Sequence, residues 1–316
     1  MKALTFSQFG GPEVLEYTDV PEPPLKEGEV LVELKAIGLN YADVYRRQGT
    51  YHLTGKPPYI PGYEGAGIVV DANGVDDVYT GDRVAFADVP FANAELVAAS
   101  YEHLIPLPEN ISFETAAGSL LQGLTAQYLT SDSYKISAEE TVLIHACAGG
   151  VGQLLVQICK AKDAQVIGLT SSDEKRAVAI NAGADEVVLY SEDWVRNLKI
   201  KNIAVVYESV GVTLPKSLDV VRDGGTVVFF GFAGGAPPFI DPRRLMDGSK
   251  TLTGGDLWTY LNSKEERLCR SAALFDWIER GIISVASPTT FALQDGAEAH
   301  RFLESRKSTG KIILIP

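Results

Sequence analysis

The 316-residue chain has little cysteine, histidine and positive charge, and each shortage excludes a class of protein. Its three cysteines, Cys147, Cys159 and Cys269, are too few and too scattered for a disulfide framework or a zinc ribbon, so we expect a reducing, cytoplasmic setting. The four histidines have no metal-ligand spacing. The 28 basic and 41 acidic residues give a net charge of -13, which argues against nucleic acid as the main partner. No apolar run approaches membrane-spanning length and no leader precedes the first strand pattern, so we expect neither membrane insertion nor secretion.

The most informative segment that is present is the glycine-rich stretch from Ala146 to Gly152. It follows a short apolar strand, Thr141 to Ile144, and precedes apolar residues at helical spacing. Backbone N–H groups and the positive end of the helix dipole meet at such a turn and attract a pyrophosphate. Gly149 and Gly152 match two of the three fingerprint glycines, while Cys147 stands at the place of the first. The segment therefore predicts a nicotinamide dinucleotide site.

Strands and helices alternate after this loop, which predicts an α/β fold with a doubly wound parallel Rossmann sheet. A helix is expected from its N-cap Ser172 to just before Gly183, and a second one over Leu214 to Val221. The cofactor is expected over the carboxyl ends of the strands. The predicted strands are Gln165 to Leu169, Glu186 to Leu189, Ile203 to Glu208 and, after a turn at Asp223 to Gly225, Thr226 to Phe230.

The end of the second strand indicates which dinucleotide is bound. An NAD site normally has a carboxylate there to hold the ribose hydroxyls, but this chain has Thr170, Ser171 and Ser172. Small hydroxyls admit a 2′-phosphate, and Lys175, one helical turn later, offers it a positive charge. The competing interpretation is that Lys175 is an ordinary solvated lysine beside Asp173. We predict NADPH as the cofactor.

The first third of the chain predicts an irregular antiparallel β-barrel, because short apolar runs alternate there with Gly, Pro and Asp turns. Helical patterning begins after Ser112, and the apolar strand Lys311 to Ile315 is expected to fold back onto the barrel. We therefore divide the chain into a barrel domain, residues 1–121 and 257–316, and a nucleotide-binding domain, residues 122–256. The predicted barrel strands are Lys2 to Phe6, Glu29 to Ala36, Gly67 to Val70 and Arg83 to Phe86.

Ordered motifs over the whole length give the chain a family resemblance. They are Phe9 to Leu15, Ala36 to Asp43, Pro61 to Gly67, Gly81 to Val84, Ala146 to Gly152, Glu304 to Arg306 and Ile313 to Pro316. With these motifs the chain resembles the zinc-independent quinone oxidoreductases, the zeta-crystallin-like group of the medium-chain dehydrogenase/reductase superfamily. The resemblance implies a GroES-like catalytic domain, a Rossmann NADPH-binding domain, and reduction of a quinone by NADPH without metal. It also implies a homodimer, paired at an edge that includes Thr226 to Phe230, the segment that follows it through Pro238, and Leu252.

The same resemblance assigns site residues. Zinc-dependent relatives have a cysteine ligand and a histidine ligand where this chain has Asn40 and Tyr63, so no metal site is expected. Asn40 and Tyr45 are implied as catalytic, and Tyr41, Tyr51 and His52 as a wall for a flat acceptor. Lys175, Tyr190 and Arg306 are implied around the 2′-phosphate. The full set of expected cofactor contacts is Asn40, Gln122, Thr125, Ala148, Gly149, Gly150, Val151, Ser171, Ser172, Lys175, Tyr190, Ser209, Val210, Phe230, Gly231, Phe232 and Arg306.

Alternatives remain at the level of function and of single residues. The same scaffold reduces activated double bonds in enals and enones, for which Tyr45 or Tyr51 can supply a proton. A non-enzymatic NADPH-binding or RNA-binding crystallin-like protein is the other alternative, and the acidic charge argues against RNA. Cys147 is either a redox-sensing thiol or a compact residue required by packing, and we favour packing. His145 is expected to be a packed strand residue.

Overall fold

The computed structural model describes residues 1–316, which divide into two compact units. The first unit comprises Met1–Leu121, Leu261–Phe275 and Val285–Pro316, and the second comprises Gln122–Tyr260 and Asp276–Ser284. Fifteen strands, β1 to β15 in chain order, cover Lys2–Thr5, Glu16–Asp19, Glu29–Leu39, Gly65–Asp71, Arg83–Phe86, Leu96–Ser100, Ile105–Pro106, Thr141–Ile144, Gln165–Thr170, Glu186–Leu189, Ile203–Glu208, Val221–Phe229, Thr251–Gly254, Thr289–Ala292 and Ile312–Ile315. Ten α-helices, α1 to α10, cover Tyr41–Arg47, Phe113–Tyr128, Gly150–Ala161, Asp173–Asn181, Trp194–Leu198, Leu214–Val220, Arg243–Met246, Leu257–Tyr260, Lys264–Glu279 and Gly296–Glu304.

The second unit is built on a six-stranded parallel sheet in the order β10-β9-β8-β11-β12-β13. Its strands read as continuous apolar runs because both faces are covered, and every residue of β11 is buried. Leu143, Ile167, Val206 and Val227 pack in one core cluster beside the sheet. The strand order reverses between β8 and β11, and the crevice at such a switch point is where doubly wound sheets bind ligands. The predicted Rossmann sheet is confirmed.

One strand of this sheet differs from the prediction. β12 starts at Val221, and its register on β11 jumps from the pair Ile203/Val221 to the pair Val205/Thr226. The predicted turn is thus a bulge inside the strand, with Gly224 at a φ of 71° that favours glycine. The part of the expected sheet edge that covers Thr226 to Phe230 was wrong, because β12 lies between β11 and β13. The edge strand is β13, which carries Leu252.

The first unit contains a seven-stranded sheet in the order β14-β15-β3-β4-β5-β7, with β6 also paired to β3. All pairs in this sheet are antiparallel except β14 with β15, and a separate hairpin joins β1 to β2. β15 pairs with the carboxyl half of β3, where Ile312 lies opposite Leu39. The expected return of the C-terminal strand to the barrel sheet is therefore seen.

Helix boundaries follow the predicted capping residues. Ser172 precedes α4 and its hydroxyl accepts the Lys175 N–H at 3.4 Å, while Gly183 follows the helix with a positive φ. Ser263 caps α9 in the same way, accepting the Glu266 N–H at 3.2 Å. No helix of the chain combines the length and the hydrophobicity needed to cross a lipid bilayer.

Candidate active site

The glycine-rich turn joins β8 to the N-terminus of α3. Gly149 is the N-cap of the helix and has no side chain to occupy the N–H groups of the first turn. A Cβ at Gly152 would lie 2.4 Å from the Ala146 carbonyl oxygen, so only glycine lets the loop backbone pass this close to the helix. The turn therefore presents unpaired N–H groups and the positive helix end beside the switch point, as a pyrophosphate requires.

Gln122, expected near the nicotinamide half, lies against this turn. A Cβ at Gly150 would meet its Oε1 at 2.0 Å, so the glycine makes room for the amide. Thr125 is buried one helical turn further along α2. Ala148 is buried and Val151 partly exposed at the helix start. These positions agree with the expected cofactor contacts, which remain predictions.

Cys147 is completely buried behind the turn. Burial raises the pKa of its thiol to about 12, against smaller lowering effects of backbone hydrogen bonds and of Lys175. A Cβ at Gly168 would lie 2.5 Å from its Sγ, so the thiol packs directly on β9. Such a thiol is not a nucleophile near neutral pH, and packing explains the residue.

The carboxyl end of β9 is where the 2′-phosphate was predicted. Ser171 is exposed and Ser172 partly so. The hydroxyl of Ser172 also interacts with Glu174 and lowers the pKa of that carboxyl. Asp173 is paired with Arg176 at 3.0 Å, which offsets its charge. Lys175 lies close enough to the turn for its charge to oppose part of the rise in the pKa of Cys147 that burial causes.

A buried polar network lies at the switch point itself. The His145 side chain, directly after β8, has its Nδ1 3.1 Å from the Tyr190 hydroxyl and its Nε2 3.0 Å from the Ser217 hydroxyl. Tyr190 accepts the Ala146 N–H at 3.0 Å, and the Ser217 hydroxyl donates to Glu208 at 2.5 Å. The Tyr190 hydroxyl thus faces the glycine-rich loop, and its implied contact with the 2′-phosphate stays a prediction.

In the first unit, the carboxylate of Glu64 is fully buried and accepts three hydrogen bonds. They come from Lys311 Nζ at 2.5 Å, Asn40 Nδ2 at 2.8 Å and the Leu121 N–H at 2.7 Å. Lys311 Nζ also donates to Asn40 Oδ1 at 2.7 Å. Asn40 is therefore held in one orientation, because its oxygen accepts from Lys311 and its amide nitrogen donates to Glu64 and, at 3.4 Å, to the Gly38 carbonyl. A Cβ at Gly38 would fall 2.1 Å from the Glu64 carboxylate, so glycine is required there.

The residues at the place of the relatives' zinc site do not fit a metal ion. The ammonium of Lys311 occupies the oxygen atoms of both Asn40 and Glu64. The Tyr63 hydroxyl is hydrogen bonded to Thr54, and the Arg46 guanidinium stacks on its ring at 3.6 Å. Two cations among these side chains oppose a third, and the neutral amide and phenol are poor zinc ligands. No chemical step is assigned to a metal here.

The four aromatic side chains expected near the acceptor all come from α1 or the residues just after it. The Tyr41 hydroxyl donates to the Leu303 carbonyl at 3.1 Å, and burial raises its pKa. Tyr45 lies 6.1 Å from the Tyr41 ring and is partly exposed. The Tyr51 and His52 rings are 3.9 Å apart, and Arg46 binds the His52 carbonyl at 3.1 Å. Tyr45 and Tyr51 are partly exposed and His52 is exposed, while the Tyr41 hydroxyl is hydrogen bonded within the first unit.

The remaining expected residues fall at other strand or helix ends. Ser209 and Val210 follow β11, and Phe230, Gly231 and Phe232 follow β12, all partly exposed at the carboxyl edge of the parallel sheet. Arg306 lies in the first unit, just after α10, where its charge opposes part of the rise in the pKa of Tyr41 that burial causes. The sequence did not point to Glu64 and Lys311 as partners, although a lysine next to four apolar residues in a strand was a signal.

Comparison with known proteins covers the chain from end to end. Residues 26–139 match the alcohol dehydrogenase GroES-like domain, and residues 150–269 match the zinc-binding dehydrogenase family. A quinone oxidoreductase from Pseudomonas aeruginosa is 42% identical, with 100% of this chain and 99% of the relative covered. A 2-haloacrylate reductase from Burkholderia is 34% identical, with 99% of this chain and 98% of the relative covered.

Among solved structures, the Escherichia coli quinone oxidoreductase complexed with NADPH has a TM-score of 0.96 at 38% identity, with 100% of both chains covered. The full-length identity, the parallel sheet with its glycine-rich turn and the GroES-like first unit agree with one another. The chain belongs to the quinone oxidoreductases of the medium-chain dehydrogenase/reductase superfamily.

Proposed function

We propose that this protein is an NADPH-dependent quinone reductase that needs no metal. The observation that carries the proposal is the N-terminus of α3 at the switch point, where Gly149 leaves the first-turn N–H groups without a side-chain cap and Gly152 lets the loop pack against the helix. The solved relative holds NADPH, and most of the close relatives are quinone oxidoreductases. Bound NADPH supplies hydride, and a quinone accepts it readily, so the protein mainly has to bind and orient both molecules.

The 2′-phosphate is assigned to the end of β9. Ser171 and Ser172 provide hydroxyls, and Lys175 provides charge beside an Asp173 already paired with Arg176. Arg306 is proposed as a further cationic contact, on the basis of the resemblance. The nicotinamide half is assigned to Gln122, Thr125 and the residues following β11 and β12, namely Ser209, Val210, Phe230, Gly231 and Phe232.

The acceptor is assigned to α1 and the residues after it. We propose direct roles for Tyr45 and for the side chain of Asn40, on the basis of the resemblance. The Glu64 and Lys311 contacts fix the orientation of the Asn40 amide, whose nitrogen also donates to the Gly38 carbonyl at 3.4 Å. Tyr51 and His52 offer two ring faces, tilted by 40° to each other, for contact with a quinone ring, and Tyr41 contributes its ring rather than its hydroxyl.

The test is steady-state oxidation of NADPH and NADH, side by side, on metal-stripped protein with a panel of quinones and an enone. We expect quinone turnover, a preference for NADPH, and no loss of rate on metal removal. The Tyr45→Phe variant should show lower turnover or weaker acceptor binding. Turnover restored only by added zinc, or no oxidation with any acceptor, would reject the proposal.

Reduction of an activated carbon–carbon double bond is the second candidate. It is favoured by the partly exposed phenols of Tyr45 and Tyr51, which can donate a proton, and by the 2-haloacrylate reductase among the relatives. The same assay decides, since turnover of the enone without turnover of quinones would assign this activity instead.

A homodimer in the cytoplasm completes the proposal. The β13 edge of the parallel sheet has one unpaired side, and Phe239, nearby in sequence, is fully exposed. Cys147, Cys159 and Cys269 are all free thiols, as in reducing compartments. Sedimentation velocity of the wild type and of Phe239→Glu tests the assembly, and a monomeric wild type would exclude it.

A further inference from the structure

The polar network at the switch point has a definite order of donors and acceptors. Glu208 is a buried carboxylate that accepts from the Val210 N–H at 2.8 Å, the Gly211 N–H at 3.1 Å and the Thr213 hydroxyl at 2.8 Å. Burial alone would raise the pKa of Glu208, but the hydrogen-bond donors around it favour the ionised carboxylate, and its pKa lies below the ordinary value. An ionised carboxylate only accepts, so the Ser217 hydroxyl must donate its proton to Glu208.

Because the Ser217 hydroxyl donates to Glu208, the direction of every other hydrogen bond in the network is fixed. The Ser217 oxygen is left as an acceptor for the Nε2–H of His145 at 3.0 Å. Burial lowers the pKa of His145, so the imidazole is neutral and its Nδ1 carries no proton. Nδ1 therefore accepts from the Tyr190 hydroxyl, whose oxygen accepts the Ala146 N–H. These donors and acceptors are mutually consistent, and the order runs without a break from Ala146 to Glu208; two longer contacts join His145 Nδ1 to the Thr213 hydroxyl at 3.5 Å and His145 Nε2 to Glu208 at 3.4 Å.

The two ends of this series of hydrogen bonds lie in two loops on either side of the switch point. Ala146 is the first residue of the glycine-rich loop and has a φ of 48°, a conformation that costs free energy for a residue other than glycine. Its N–H is held by Tyr190, which reaches across from the end of β10. At the other end Glu208 holds the N–H groups of Val210 and Gly211 after β11.

We infer that Tyr190, His145 and Glu208 form a positioning network that holds the glycine-rich loop in the shape that receives the dinucleotide pyrophosphate. None of them needs to touch the reacting atoms. The inference rests on the proposed NADPH function, and it assigns the Tyr190 hydroxyl to the loop instead of to the 2′-phosphate. Removing that hydroxyl leaves the Ala146 N–H without its acceptor and frees the loop to relax.

The experiment compares Tyr190→Phe with the matched control Tyr207→Phe. Tyr207 is buried in β11 next to Glu208, and its hydroxyl binds the Leu129 carbonyl at 3.2 Å, away from the loop. Dissociation constants are measured for both NADPH and NADH by titration calorimetry. One lost buried hydrogen bond predicts about tenfold weaker binding of each dinucleotide by Tyr190→Phe, and little change for Tyr207→Phe.

The pair of dinucleotides separates the two roles of Tyr190. NADH has the same pyrophosphate but no 2′-phosphate, so a loop-positioning residue affects both affinities by the same factor. A loss confined to NADPH would assign Tyr190 to the 2′-phosphate and overturn the inference, as would unchanged binding of both. Ser217→Ala interrupts the hydrogen-bond network in the middle. Its effect on the dissociation constants should therefore not add to that of Tyr190→Phe in the double variant.

Hydrogen exchange of the ligand-free protein gives an independent readout. Amides of residues 146–152 should exchange faster in Tyr190→Phe than in the wild type or in Tyr207→Phe. A wild type that binds neither dinucleotide would refute the proposed function, while the exchange rates would still decide whether the network orders the loop. Equal exchange in all three proteins would refute the inference.

Discussion

Replacing Lys311 by methionine tests the buried ion pair of the first unit. Methionine keeps most of the volume of the side chain but removes the ammonium, so Glu64 becomes a buried charge without a counterion. It keeps two donors, the Asn40 amide and the Leu121 N–H, which do not neutralise it. Removing one partner of a buried pair costs about 3–5 kcal/mol, and we expect Lys311→Met to lose a stabilisation of this size.

The matched control is a pair of similar length at the surface of the same unit. Lys35 Nζ lies 2.7 Å from Glu33 Oε1, with 37% and 45% of the two side chains exposed. Because water screens this pair, Lys35→Met should cost less than about 1 kcal/mol. The double variant Lys311→Met/Glu64→Gln removes both charges and should recover part of the loss.

Native-state hydrogen exchange is the suitable assay, because tryptophan fluorescence reports on the other unit. The three tryptophans, Trp194, Trp258 and Trp277, all lie in the second unit. Amides of β15 should exchange about a hundredfold faster or more in Lys311→Met, and by less than about fivefold in Lys35→Met. Equal effects of the two substitutions, or no recovery in the double variant, would show that the pair does not carry this stability.

Three further predictions concern reactivity, the glycine-rich turn and pH. Iodoacetamide at pH 8 should modify the exposed Cys269 and spare Cys147, because burial raises the pKa of the Cys147 thiol to about 12. Peptide mass spectrometry measures the labelling of each cysteine, and equal labelling of the two would contradict the prediction. Gly152→Ala should weaken NADPH binding at least about tenfold, since its Cβ would strike a backbone oxygen at 2.4 Å, whereas Gly254→Ala, with open space around the Cβ, should bind normally in the same titration. Burial lowers the pKa of His300 from 6.5 to about 3, so the unfolded chain takes up a proton first and the free energy of unfolding falls as pH decreases from 6.5 towards 3. His300→Gln should flatten this dependence by about 1 kcal/mol between pH 7 and pH 5.5, as measured by exchange in the first unit, and an unchanged slope would show that another group causes it.

The sequence was most informative where local pattern and tertiary environment agree. The strands of the parallel sheet are buried on both faces, so their apolar runs marked β8, β9 and β11 closely. Ser172 and Gly183 marked the ends of α4 because capping depends on neighbouring backbone groups. β13 was not predicted, since its four residues carry only one large apolar side chain, Leu252, and it exists through pairing with β12.

The site was less accessible from the sequence because its contacts join distant residues. Lys311 and Glu64 are 247 positions apart in the sequence, and Tyr190 and Ala146 are 44 positions apart. No local spacing of residues therefore predicts either contact. The functional placement of Asn40 and Tyr45 came from family resemblance. The contacts of Asn40 and Tyr45 with neighbouring groups could be seen only in the structure.

The position of β15 beside β3 has a consequence for biosynthesis. Ile37 to Leu39 emerge from the ribosome early, but the strand that covers them is made only after every residue of the second unit. The nucleotide-binding unit can therefore fold cotranslationally while the barrel still has an open, apolar strand edge. During that interval the nascent chain is vulnerable to aggregation. The exposed edge of β3 is the segment that we expect ribosome-associated chaperones to bind.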